Sequence, residues 1–586
     1  MDNAIPHCLK AEELESALGD PSDPEVTFSF RRAVELDEEE AFPAEACRLL
    51  DDWKLPEYFI PASAGGKWRS TEELLLLQRL IARRDLTVAI GHGKTFLGAL
   101  GVWIGGDAAQ KAELSQLIRC NGAVSLALTE RAHGSDLVAS DVTAHAESGG
   151  TYRLTGEKWI INNATRGTAL SVISRVSAEG ESDRLALLFV NKEKLARGSY
   201  THLPKVLTHG IRGADISGIR FDGCQIGKDA ILGDAGAGLD TTLKLLQITR
   251  IACAALSLGA VDTALRVTLD FASERKLYGT TMLELPYARH LIVCAFADAV
   301  IAECVTTTAA RTVHVAPAQL RVTSAVAKYF VPTVIEGAIR TLSVALGARH
   351  YLRSEQSHGI FQKLMRDNEV VSLFDGSTVV TLDSLASLLP RLAVLRKSAT
   401  PDDDVLDALF TPGRSLPPLD LGRVTLATEG SEVVAALGPS ALHLAYLKGR
   451  SGLDGDLHAA ACALAKAFSA ELQKDEAVLL GPRTPERHKS PQVFEYAKRY
   501  CVYFAASACI QTWLRSREKR SGFVARPEWL VLVLARLLAS LRPLGEIAVP
   551  ATATDVVYAE MLRLHAGGML FSLLPIKLAT RGGRPA

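Results

Sequence analysis

The chain has almost no net charge, no closely spaced cysteine pairs, no unbroken hydrophobic run of membrane length and no internal repeat. Each absence removes a class of function. Sixty-five lysines and arginines face 66 aspartates and glutamates, a formal charge of −1, so no global field draws the chain to nucleic acid or an anionic membrane. Ten cysteines run from Cys8 to Cys509 without CxxC spacing. That argues against a zinc site and for buried free thiols in a reducing compartment; no metal is expected. The opening MDNAIPHCLKAEELESALGD is acidic and lacks an apolar centre, unlike a secretory signal. Nowhere do roughly 18 to 20 apolar residues follow without interruption. A soluble, cytoplasmic protein is the expectation. The 586 residues, 48% hydrophobic and 22% charged, have the balance of a globular chain and length for about two to four domains.

Four regions follow in order, giving an α+β, mostly α fold. Residues 1–125 read as helical, because EAFPAEACRLLDDWKL and STEELLLLQRLIARRD carry apolar residues at three- and four-residue spacing. Ser70, before Glu72 and Glu73, is a helix start, and PASAGG at 61–66 is a loop. Residues 126–233 read as strands: YRLTGEKWII, ALSVISRV, LALLFV and IRFDGCQI. A β segment of this length closes into a barrel or sandwich to hide its edges. SGG at 148–150 predicts a hairpin turn and TGEK a turn between strands. Residues 234–396 predict long helices near 240–277, 285–315, 319–347 and 360–395, a four-helix bundle. Pro332 should kink or end the third. KSATPDDDVLDALFTP reads as a linker, and 397–586 is linker plus an additional helical domain.

Four motifs carry chemistry, and each has a plainer reading beside it. LALTERAHGSD (126–136) is a turn rich in small polar residues; alternatively Thr129, Ser135 and nearby backbone hydrogen-bond a flavin edge and a pyrophosphate, with Gly134 allowing close approach. LTGEKWIINNA (154–164) is core strand, or an apolar surface beside two amides that suits a flavin ring. ERKLYG (274–279) places Arg275 and Lys276 at a helix C-terminus, where the dipole alone favours them; phosphate binding is the other reading. KLMRDNEVVSLFDGSTVV (363–380) contains Asp375-Gly376, an ordinary turn pair.

In this order, with IPASAGG, GAGLDTTLKLLQITR and LGARHYL between them, the motifs resemble the acyl-CoA dehydrogenase superfamily over about residues 40–395. The resemblance implies an N-terminal helical domain, a middle β-barrel, a C-terminal four-helix bundle, FAD and a homo-oligomer built from dimers. It points to Leu128, Thr129, Gly134 and Ser135 in the flavin loop, and to Ile160 and Asn162 on the strand behind the ring, where a tryptophan and a threonine are usual. Arg275 and Tyr278 match residues that reach the neighbouring subunit's FAD. Gly347 lies in a stretch that usually begins with glutamine and contains GGxG; here Val344 and His350 depart from it. Ser377 matches a threonine that meets the adenosine part, and Arg250 and Gly376 fall at substrate-side positions.

The implied reaction removes an α-proton and a β-hydride from an acyl thioester, carried by CoA or an acyl carrier protein. It needs enolate stabilisation and a carboxylate near the α-proton. Most relatives supply glutamate in a YEGT-like motif; this chain supplies Asp375 in Phe374-Asp375-Gly376-Ser377. Other relatives place glutamate before an arginine on the long helix, where this chain has Thr249 before Arg250. Aspartate is about 1.5 Å shorter, and a misplacement of about 1 Å costs about a hundredfold in rate. A rebuilt site, a more acidic substrate or reduced activity would each answer this. Nitroalkane oxidases, which resemble the superfamily, use aspartate here. An acyl-CoA oxidase is a further alternative, and a non-catalytic assembly relative is the reading from another class.

Residues 413–586 exceed the usual family length, as in very-long-chain acyl-CoA dehydrogenases and acyl-CoA oxidases. Arg515, Arg517, Lys519, Arg520 and Arg526 form a basic stretch. It is a solvated helix end, or a contact for a membrane surface or an acidic carrier protein. WLVLVLARLLASL (529–541) reads as buried core.

Overall fold

The computed structural model describes residues 5–177, 183–447, 455–481, 490–542 and 549–580. N-terminal helices lead into a β domain, a bundle of long helices and a helical extension. The helix Thr71–Arg84 begins where its sequence says it should: the Ser70 hydroxyl accepts the backbone N–H of Glu73 at 3.2 Å. The next helix, Leu86–Gly105, presses against the β domain at Gly98, where a Cβ would lie 2.5 Å from the main-chain oxygen of Val124.

Seven strands form one sheet: β1 Val124–Ala127, β2 Thr143–Ala146, β3 Thr151–Asn162, β4 Ala169–Ser177, β5 Arg184–Asn191, β6 Tyr200–Leu203 and β7 Ile216–Gly227. Their order is β1-β4-β2-β3-β7-β6, with β5 on β4. Among the described residues backbone pairing stops at β5 and β6, so the ring expected of a full barrel is not closed by hydrogen bonds there. The chain covers the β5 edge another way: Leu232 N–H donates to Leu187 O at 2.9 Å and Gly236 N–H to Leu185 O at 3.0 Å. SGG is a hairpin turn, with Gly149 and Gly150 at φ +85° and +78°. TGEK is not a turn. It runs through the middle of β3 as a bulge, with a register shift between Leu154 and Thr155 and Gly156 at φ +125°.

The long helices Gly238–Glu274, Pro286–Val315 and Leu320–Leu346 pack on one another, and Thr71–Arg84 packs on the first. Gly259 sets that approach: its Cβ would meet Arg79 O at 2.5 Å. Pro332 does not end its helix. Its neighbours Val331 and Ile335 are fully buried, and the Thr333 hydroxyl serves the Tyr329 carbonyl beside the missing N–H at 2.7 Å. The fourth predicted helix is two, Ile360–Glu369 and Thr378–Ser398, broken at the turn that holds Asp375. Among the described residues four helices reach the length and hydropathy of a membrane span. In the most apolar windows of the first two, 94% and 83% is buried in the fold, against 56% and 44% in the segments 317–351 and 378–398. In the first two helices the apolar composition therefore serves a protein core.

The expected linker contains a helix, Asp403–Phe410, capped by Asp402, whose side chain accepts from Asp404 and Val405 N–H. The basic stretch holds it down. Arg515 pairs with Asp403 at 2.5 Å, Lys519 with Asp407 at 2.6 Å, and Arg520 donates to Pro412 O at 2.9 Å. Arg517 and Arg526 pair with Glu518 and Glu528. The helices Pro491–Ser516 and Pro527–Leu541 share one hydrophobic core with the bundle, and Trp529–Ala535 are buried as expected. The chain then returns to the long helices: Phe571 N–H donates to Asp262 at 2.9 Å, and Arg79 donates to Phe571 O at 2.8 Å. All ten cysteines are free and nine are buried.

His314 ties the N-terminal domain to this connection. Its Nε2 lies 3.0 Å from Thr71 N–H, which can only donate, and its Nδ1 lies 3.1 Å from Pro417 O. Nδ1 therefore carries the proton and Nε2 accepts. Burial pushes the imidazole down to about 4 from 6.5. A base depressed on folding is neutral in the native state while the unfolded chain takes up its proton first. Its contribution is whole above about pH 6.5 and disappears as pH falls toward 4, a difference of about 3 kcal/mol. Thermal unfolding of wild type and His314→Gln across pH 7 to 4 should show the wild type losing stability more steeply; parallel curves would refute it.

Candidate active site

Between Val370 and Ser377 the bundle backbone leaves the helix. Asp375 has φ +56° and Gly376 φ +100°. Two successive left-handed residues cost energy unless held. Arg250, 9% exposed on the long helix, does the holding: its Nε donates to the Asp375 main-chain oxygen at 3.1 Å. A Cβ at Gly376 would lie 3.0 Å from Arg250 Nη2, so glycine is needed both for φ and for space. Burial pushes the Arg250 guanidinium down, against the opposing pull of Asp375.

The turn aims the Asp375 side chain into a pocket between Thr71–Arg84, Leu86–Gly105 and Gly238–Glu274. Its walls are mainly apolar, with Leu74, Leu75, Ile90, Leu97 and Leu256 among them. Its cavity is about 30 Å³, room for a water or two. An acyl chain therefore enters only if side chains move. Lys94 Nζ lies 3.4 Å from Asp375 Oδ2 and 3.6 Å above the Phe374 ring centroid. Cys253 Sγ donates to the same Oδ2 at 3.8 Å. Burial pushes its thiol up to about 11, so it remains a neutral donor. Lys328, 2% exposed, donates to Val371 O, and its Nζ is 5.4 Å from the Phe374 centroid. Burial pushes its ammonium down while the neighbouring Cys253 and Asp375 push it up.

Lys94, Lys328 and Cys253 were not singled out by motif reading. Their sequence signal is faint: a lone lysine inside each of two apolar helical stretches, TVAIGHGKTFLGAL and TSAVAKYFV. Such a lysine is seldom buried without a partner.

The β domain contributes a second group. The Thr129 hydroxyl donates to Trp159 O at 2.7 Å, and Trp159 N–H returns a bond to Thr129 O at 3.0 Å. Thus the TERAHGSD loop and the GEKWIIN strand are laced together. Behind them Lys158 and Glu130 form a buried pair at 2.6 Å, and Lys158 also donates to Leu128 O at 3.1 Å. Burial alone would raise Glu130. Bonds from Lys158, Ser140 and the Asp141 N–H outweigh it and leave the acid below its usual range. Burial pushes Lys158 down to about 8, which leaves both partners charged at neutral pH. Glu130, His133 and Asp141 come close enough to suggest a metal site, but Glu130 is already saturated by these donors.

Ile160 sits at a bulge of β3 with φ +59° and is 49% exposed. Beyond it both Asn162 amide atoms are buried without a hydrogen-bond partner. A buried amide left unpaired is costly; Asn368 is in the same state. Gly134 and Ser135 lie exposed on the loop, and a Cβ at Gly134 would meet nothing within 4 Å. Ser377 begins the helix Thr378–Ser398 without making a cap bond. Arg275, Tyr278 and Gly347 are on the surface, Tyr278 95% exposed. The fold thus brings Arg250, Asp375 and Gly376 into one group and Thr129, Ile160 and Asn162 into another. Arg275, Tyr278 and Gly347 stand outside both.

The acyl-CoA dehydrogenase middle-domain family matches residues 125–224, and the acyl-CoA dehydrogenase C-terminal-domain family matches residues 236–389. The probable acyl-CoA dehydrogenase FadE25 of Mycobacterium tuberculosis is 24% identical over 370 residues, 63% of this chain and 92% of that protein. The acyl-CoA dehydrogenase of Bacillus anthracis, solved in complex with FAD, superposes with a TM-score of 0.67 at 17% identity, covering 96% of this chain and 88% of that one. The butyryl-CoA dehydrogenase of Megasphaera elsdenii superposes with a TM-score of 0.58 at 19% identity, over 66% of this chain and all of that one. The first two matches span the flavin-loop motifs and the Asp375 turn, and the Bacillus structure extends over the C-terminal helices as well. Residues 125–224 and 236–389 thus carry the middle and C-terminal domains of the acyl-CoA dehydrogenase family.

Proposed function

We propose that the chain is an FAD-dependent dehydrogenase that introduces an α,β-double bond into an acyl thioester. The observation that carries the reading is the Asp375 carboxylate, held by a clamped left-handed turn and aimed into a mainly apolar pocket. Its proposed role is to take the α-proton as general base. Bound FAD would supply the acceptor for the β-hydrogen and its electron pair. The unpartnered Asn162 amide fits a flavin, whose ring edge offers both donor and acceptor atoms. Thr129, with Leu128, Gly134 and Ser135, forms the loop proposed to hold the same cofactor. Arg250 and Gly376 act through Asp375, as positioning groups for the base.

The carrier is CoA or an acyl carrier protein. A homo-oligomer is part of the proposal, because Tyr278, Tyr351, Val344 and Val379 are exposed on the bundle side. Sedimentation velocity returning only monomer would remove it. A cytoplasmic location accompanies it, supported by ten free thiols.

Anaerobic mixing of the yellow protein with acyl-CoA, acyl-carrier-protein thioesters and a nitroalkane tests the reaction. Thioesters should bleach the flavin. Bleaching by nitroalkane alone would assign the site to a nitroalkane oxidase, and rapid reoxidation by oxygen would identify an oxidase. Asp375→Asn should abolish bleaching while FAD stays bound; an unchanged rate would show that Asp375 is not the base. Asn162→Leu should weaken FAD binding about 10- to 30-fold, for two hydrogen bonds at about 1 kcal/mol each. FAD titration giving the wild-type Kd would remove Asn162 from the cofactor site.

A further inference from the structure

We propose that Lys94 reads the substrate, and that the acyl group taken by this pocket carries a carboxylate of its own, as in the monothioester of a short diacid. The inference rests on the thioester-dehydrogenase reading and deepens it.

Lys94 stands in a wall of leucine, isoleucine and phenylalanine side chains, where an ammonium is costly without an anionic partner. Its partners are Asp375 Oδ2 at 3.4 Å and the Phe374 ring at 3.6 Å. The carboxylate that must receive the α-proton is thus the one Lys94 holds. When Asp375 turns to a substrate, Lys94 loses its anion unless the substrate brings another.

The surroundings offer no replacement. Arg250 donates to the Asp375 carbonyl, Lys328 donates to the Val371 carbonyl, and Cys253 stays a thiol. Asp375 is the one carboxylate among the described residues that lines this pocket with Lys94. A plain alkyl chain would leave Lys94 without an anion once Asp375 turns to it. A carboxylate supplies one and releases Asp375 in the same movement.

One further observation points the same way. Gln78 lines the same pocket as Lys94, and Gly93 lets its amide approach: a Cβ there would lie 2.9 Å from Gln78 Oε1. An ammonium and an amide in one pocket suit a carboxylate better than a methyl terminus. Because Lys94 lies within one hydrogen-bond length of the base, the second carboxylate belongs only a few carbons from the α-carbon. The reaction is otherwise unchanged. The α-proton goes to Asp375, bound FAD would accept the β-hydrogen with its electron pair as the double bond forms, and Lys94 exchanges one anion for another.

The test compares flavin bleaching of the holoenzyme by succinyl-, glutaryl- and adipyl-CoA with bleaching by butyryl-, valeryl- and hexanoyl-CoA. Wild type should favour a carboxylated thioester. Lys94→Met should lower the carboxylated-to-plain selectivity ratio about 100-fold, chiefly through the substrate concentration needed, as for loss of a buried charge partner. Lys94→Arg should keep much of the preference. FAD content and Tm show whether each variant folds; if Lys94→Met does not, wild type and Lys94→Arg decide. Preference of wild type for plain thioesters, or a ratio unmoved in Lys94→Met, overturns the inference while leaving the dehydrogenase reading intact. Failure of every thioester to bleach the flavin overturns both.

Discussion

Arg250 on the long helix donates to the main-chain oxygen of Asp375, and the site depends on that bond. The backbone at 375–376 occupies conformations that side chains other than glycine resist. Without the clamp, the helices Ile360–Glu369 and Thr378–Ser398 could relax toward a continuous helix, as their sequence pattern suggests. Asp375 would then lie on a helical surface instead of at the tip of a turn. Arg250 is held in place by the packing of its own helix, which Gly259 allows to approach Thr71–Arg84 closely. The same approach brings in the helices that wall the pocket. One set of close contacts therefore fixes both the direction of the base and the shape of the space it faces.

The C-terminal extension is bound into this arrangement. Residues 571–579 reach back to the buried ionic cluster of the long helices, where Arg83 pairs with Asp262 at 2.9 Å and Arg84 with Glu15. Phe571 N–H completes Asp262, and Ala579 N–H reaches Glu15 at 3.3 Å. Removing these segments would leave buried charges short of partners, which costs more than the pairs themselves contribute. The basic stretch near residue 515 belongs to the same logic. Its charges meet Asp403 and Asp407 on the connecting helix, which gives them an internal role without any membrane or carrier.

The order of helices, strands and helices is legible because periodicity is a long-range signal, and local motifs single out Asp375, Thr129 and Asn162 as candidates. Local signals also misled where tertiary contacts decide. TGEK has the composition of a turn, yet Gly156 lets β3 continue through it as a bulge against Val142. KSATPDDDVLDALFTP has the polarity of a linker, yet Asp402 caps a helix there and basic residues from a distant helix hold it. Lys94 and Lys328 escaped because a single lysine in an apolar helix has no motif. Their importance lies in what faces them, and that is set by residues 281 and 43 positions away.

The short base and the half-buried lysine are best considered together. A glutamate in place of Asp375 would carry its carboxylate about one methylene further into the space now held by Lys94 and Cys253. The longer side chain and the lysine would then compete for one volume. An aspartate leaves room for a cation beside the base. In a pocket built for a neutral alkyl chain that cation would have no task and would cost desolvation energy. The missing methylene and the added charge thus look like two sides of one adaptation, in which reach is given up at the base so that a cation can stand next to the reacting carbons.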